Sequence, residues 1–203
     1  MSTLAAVFRE LRAGRPVVVA GPLGQPGDLV VAAESVTTES VAFLVRHTSG
    51  FVCVALPGAD CDRLRLPPMY PFSDDPARGR FTVTVDAAAG VSTGISAGDR
   101  ALTIRLLGGA ATTAADLVRP GHVVPCRVAE GGVLARPGAA EAASDLAAAA
   151  GLRPSAAYSA VVSTRYPGEL ARGAELAHFA ARHGLAATSV DDLTAHLRGV
   201  AAA

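Results

Sequence analysis

The chain is 203 residues long, half hydrophobic and 18% charged, with 18 basic side chains balanced by 18 acidic ones. That length and apolar content suit one domain, 1–203, with a sizeable core, and the balance leaves no basic field for nucleic acid or a membrane surface. There is no lysine at all, which excludes Schiff-base aldolase chemistry, a pyridoxal phosphate anchor and a P-loop lysine.

Leu4, Val7, Phe8 and Leu11 recur at helical spacing after Ser2, so the spacing predicts a helix over 3–13, stopped by Gly14. Val17-Val18-Val19 reads as a buried strand, Gly21 to Gly27 as a loop and Leu29 to Ala32 as the next strand. A helix over 38–46 and a strand over 51–56 follow. Four prolines between Pro57 and Arg80 predict a long loop. Phe81 to Asp86 is strand-like, the run Gly90 to Arg100 has loop chemistry, and a helix is expected over 97–107. The last third alternates: strand 123–128, alanine-rich helix 140–150, strand 158–162, helix 169–183, a short strand near Thr188 and helix 190–197. Such alternation argues for an α/β sandwich around a mixed sheet.

Cys53, Cys61 and Cys126 show no CxxC spacing and read as buried free thiols of a reducing compartment. The start of the chain lacks an apolar signal core, and no stretch approaches the roughly 20 apolar residues of a membrane span. The expected setting is the cytoplasm.

Candidate chemistry gathers at ends of elements. His122 enters a strand, where an imidazole either titrates in a pocket or bonds a neighbouring carbonyl. Asp28 opens another, where its carboxylate either accepts substrate hydroxyls or caps a turn. Arg46, His47, Thr48, Ser49, Thr93 and Ser96 offer charges and hydroxyls for a pocket floor; Ser96 and Asp99 read equally well as helix caps, with Arg100 paired on the surface. Arg78 and Arg80 are either solvated loop charges or counter-charges for an anion, and Asp74-Asp75 is a weak metal candidate.

Three segments, Arg46-His47-Thr48-Ser49-Gly50, the run Gly90 to Arg100 and Arg119-Pro120-Gly121-His122, together resemble 3,4-dihydroxy-2-butanone 4-phosphate synthase, the riboflavin-pathway enzyme that acts on ribulose 5-phosphate. The resemblance covers nearly the whole chain. It implies the α/β (α+β) sandwich of that family, a homodimer with pockets near the subunit interface, a catalytic histidine at His122, a sugar-phosphate-binding aspartate at Asp28 and an anion-holding Arg136.

Three departures are visible. Gly21-Pro22-Leu23-Gly24-Gln25-Pro26 stands where the family has an acidic cluster, so its magnesium-binding carboxylate has no counterpart nearer than Gly24 or Gln25. Its second metal ligand, a histidine seventeen residues beyond the catalytic one, falls on Ala139, followed by Ala140 in place of a phosphate-holding threonine. Its catalytic glutamate falls on Ala160.

Because Mg²⁺ needs oxygen ligands in near-octahedral order, these departures predict a divergent enzyme without metal or other cofactor. His122 and Asp28 would carry a proton transfer, elimination or cyclisation on a small oxygenated substrate in a specialised biosynthetic pathway. Two alternatives are a catalytically dead paralogue that binds a ligand or partner subunit, and an ordinary synthase of riboflavin biosynthesis. Arg46, His47, Thr48, Ser49, Thr93, Ser96, Arg80 and Arg136 are the expected substrate-binding residues, and no metal ligand is assigned.

Overall fold

In the computed structural model, which describes residues 2–70 and 80–201, seven strands form one sheet in the order β4-β5-β3-β6-β2-β1-β7. The strands are β1 (Val17–Ala20), β2 (Asp28–Ala32), β3 (Cys53–Leu56), β4 (Val85–Ala87), β5 (Leu117–Arg127), β6 (Ala156–Ala160) and β7 (Ala187–Ser189). β3 runs parallel to β5 and β1 to β7, while the other pairs are antiparallel, so the sheet is mixed as the alternation implies.

Side chains alternate across the strands. Val18, Leu29, Val31, Val54, Val123 and Ala157 point into one core layer, covered by α2 (Thr38–His47), α3 (Gly58–Arg63), α4 (Ala97–Gly108) and α7 (Ala174–His183). Val17, Val30, Cys53, Val124, Cys126 and Tyr158 point into the other, covered by α1 (Leu4–Arg12), α5 (Gly132–Ala135), α6 (Ala139–Ala149) and α8 (Val190–Ala201). α6 is rich in alanine because it lies close against the sheet: Ala142, Ala143, Leu146 and Ala147 are fully buried.

Most expected elements are present, and the differences have local causes. α3 lies inside the segment expected to be all loop; at six residues it is too short to show a period, and it is anchored by buried Cys61. Of the Phe81 to Asp86 strand, Phe81 makes only an isolated bridge to Cys126, and regular pairing waits for the register shift at Val85/Asp86. β5 starts at Leu117, six residues earlier than expected. α7 starts at Ala174 because Gly173, at φ +55°, departs from helical geometry. Arg78 and Asp74-Asp75 lie outside the described residues.

Candidate active site

Asp28 is the first residue of β2, and its carboxyl sits in a recess shared with Gln25, Val30, Ala139 and Val190. Burial among these groups pushes its pKa from 3.8 up to about 7, because a low-dielectric site disfavours the charged form. Such a carboxyl exchanges its proton near neutral pH. The sheet register sets Ala160 directly opposite Asp28 on β6, and a methyl there adds neither charge nor hydrogen bond.

Ala139 also lines a larger adjoining cavity, of about 410 Å³, together with Arg80, Phe81, Cys126, Arg136 and Tyr158. Arg136 is held by Glu141, which is 1% exposed and accepts from the Arg136 Nε at 3.0 Å and from the Ala129 amide at 2.8 Å. Tyr158 is buried and hydrogen-bonded to Cys126, with its hydroxyl pKa raised by burial. Cys53 behind it is pushed up to about 12 by the same cause, so its thiol stays protonated and unreactive at neutral pH. The cysteines are structural, as their spacing suggests.

His122 belongs to a different constellation. Its Nδ1 donates to Asp86 Oδ2 at 2.7 Å and its backbone N–H donates to Asp86 Oδ1 at 2.9 Å, which fixes the ring and leaves Nε2 for proton transfer. Gly94 closes over this pair at φ +85°, and a Cβ there would stand 2.1 Å from Asp86 Oδ2. Asp86 is a functional candidate that the sequence reading missed; the signal was an acidic residue ending a strand just before a serine-threonine loop. The pairings Val30–Tyr158, Tyr158–Cys53 and Cys53–Val124 link β2 to β5. Extended by two residues, they put His122 in the row of Asp28 but three strands away, about 14 Å at normal strand spacing. Within one chain these two groups therefore cannot share one proton by direct contact.

The other candidates scatter. Ser96 caps α4 by accepting from the Asp99 amide, the plain capping role that was one of its two readings. Asp99 accepts from the Ser92 hydroxyl at 2.8 Å and the Gly94 amide at 3.1 Å, tying down the loop. Arg100 is buried, not paired on the surface, because α4 turns it inward toward Asp86. Thr93 is exposed on the loop and Arg46 is exposed on α2. Thr48 donates to Leu44 O at 2.7 Å and meets Ser159 Oγ, with Ser49 beside it. His47 faces a separate cavity between α2 and α7. None of these eight residues lines the Asp28–Arg136 cleft; they serve the layer on the other side of the sheet or the loops beyond it.

The 3,4-dihydroxy-2-butanone 4-phosphate synthase sequence profile matches residues 5–196. The chain belongs to that family. It is 50% identical to the riboflavin biosynthesis protein RibBA of Nocardia farcinica over 97% of its own length and 48% of the relative's. For RibBA of Rhodococcus jostii the identity is 52%, over 93% and 46%. The chain thus spans about half the length of the curated relatives it matches. A solved 3,4-dihydroxy-2-butanone 4-phosphate synthase in complex with two magnesium ions superposes with a TM-score of 0.90 at 39% identity, over 98% of both chains. The enzyme of Candida albicans superposes at 0.88 with 34% identity, over 97% of both.

The donors in this chain's cleft do not fit magnesium. The burial of Asp28 favours its neutral form, the Glu141 carboxylate is engaged by Arg136 and the Ala129 amide, Ala139 and Ala160 carry no donor atom, and Gln25 offers one neutral amide. Among the described residues no group of three or more His, Cys, Asp or Glu is arranged to hold a metal. No helix among the described residues is long and apolar enough to cross a membrane.

Proposed function

We propose that this protein acts in riboflavin biosynthesis as a synthase-family protein for a sugar phosphate of the ribulose 5-phosphate type, bound in the cavity over β5 and β6. The observation that carries this reading is the half-identity to RibBA proteins along nearly the whole chain. The chemistry of the cleft supports it. Arg80 and Arg136 place two guanidinium groups on its wall, suited to fork onto phosphate oxygens. Asp28, ionising near neutral pH, takes a proton from the sugar and returns it. About 410 Å³ is a volume typical of small-molecule sites. Homology to the family supports a homodimer with pockets near the interface, where His122, aligned by Asp86, acts as a second acid or base.

A second reading is favoured by Ala139 and Ala160. It is a metal-independent member that carries out proton transfer, elimination or cyclisation on another small oxygenated substrate, or one that binds without turnover. Formate release from ribulose 5-phosphate, assayed with Mg²⁺ beside the Rhodococcus relative, separates the two. Release at a comparable rate supports the first reading. Binding of ribulose 5-phosphate without formate supports the second, and absence of binding overturns the sugar-phosphate assignment.

A further inference from the structure

On the face of the sheet opposite Asp28, α2 and α7 frame a cavity of about 260 Å³. One wall is an aromatic block. The His47 ring lies 4.4 Å from Phe43 and 4.7 Å from His183, and His183 lies 4.5 Å from Phe179, centroid to centroid. The opposite wall is the strap Val161, Val162 and Thr164. This strap is held in place by Glu175, which accepts from the Ser163 hydroxyl at 2.9 Å and the Thr164 amide at 2.8 Å. With its carboxylate so engaged, the cationic partner left at the cavity edge is Arg182 on the same helix.

The His47 ring is built for stacking more than for charge. Burial, then His183, Arg46 and Arg182, lower the pKa of His47, so its ring is neutral at pH 7. His178 donates from Nδ1 to the Ala174 carbonyl at 2.8 Å, which leaves Nε2 at the cavity. A cluster serving only as packing would close over its rings; here His47, Phe179 and His183 line open space.

We propose that this cavity is a second ligand site, for a planar aromatic molecule bearing one anionic group. Its ring stacks on the His47–Phe179–His183 wall and its anion meets the Arg182 guanidinium. The site shares no residue with the Asp28–Arg136 cleft, so it stands independently of the function proposed above.

The test uses 2-naphthoate as probe on the full chain, with cyclohexanecarboxylate as a non-aromatic control, by calorimetry and by NMR of the histidine ring protons. Saturable binding of 2-naphthoate is expected, moving the His47 and His183 signals. Arg182→Gln, at an exposed position, should weaken it about tenfold or more, as should replacing the ring by cyclohexane. Arg80→Gln should leave it unchanged. Absence of saturable binding up to about 10 mM probe, or loss with Arg80→Gln and retention with Arg182→Gln, would overturn the proposal.

Discussion

Asp28 and Ala160 face each other across the antiparallel β2–β6 pair, so the side chain at 160 decides whether Asp28 is alone. Directly paired strand residues bring their Cβ atoms to about 5 Å. A carboxylate at 160 would be an immediate like-charge neighbour and, with a third donor from α6, part of a cation site. Alanine leaves Asp28 isolated, in surroundings that hold its proton until about pH 7.

The first expectation concerns pH. Between pH 3.8 and about 7 the folded chain keeps the Asp28 proton that the unfolded chain has released, so stability falls as pH rises through that window. Above it the folded state bears the full cost of a buried charge. Asp28→Asn removes that cost, and should stabilise the protein by about 4 kcal/mol at pH 8 with little change at pH 4. Thermal melts at the two pH values check this; equal shifts at both would show that charge burial is not the cause.

A second expectation follows from the donor set. Calorimetry should detect no saturable Mn²⁺ or Mg²⁺ binding at the cleft. Gln25→Glu, Ala139→His and Ala160→Glu combined should create it, because together they supply the oxygen and nitrogen donors missing here. Anomalous scattering from Mn²⁺ beside Asp28 in the unaltered protein would contradict this.

For Arg136 the expected effect is structural as well as functional. Glu141→Ala takes from the Arg136 guanidinium and the Ala129 amide the buried carboxylate to which they donate, and should cost about 1–3 kcal/mol of stability. Chemical denaturation measures it. A loss under about 1 kcal/mol would mean that the pair behaves like a surface ion pair.

His122→Ala should reduce turnover of the true substrate by roughly 10²- to 10⁴-fold with a small effect on folding, since the ring is substantially exposed. Gly94→Ala should both reduce turnover and destabilise the fold, because its Cβ collides with Asp86 and with His122 Nδ1. If His122→Ala unfolds the protein while keeping activity in the folded fraction, the Asp86–His122 pair is a packing device.

What the sequence determined by itself was local. The valine triplet of β1, the apolar run Leu29 to Ala32 of β2, the helical spacing of α1 and α2 and the stop signals around them are set by neighbours a few residues apart, so each element's type could be read in place. The same holds for the chemistry that is missing: Ala139 and Ala160 cannot donate to a metal in any fold. Tertiary structure decided which of the remaining groups meet. The strand order puts β6 between β2 and β3, which sets Ala160 opposite Asp28 and keeps His122 three strands away. The alternation of faces sends Tyr158 into one layer and Ser159 into the other, which parts Thr48 and Ser49 from the cleft. The folding-back of α7 onto α2 gathers three histidines from positions 47, 178 and 183 around one cavity. These relations depend on long-range pairing, whose register is fixed by burial on both faces of the sheet at once, and no local pattern in the chain carries that information.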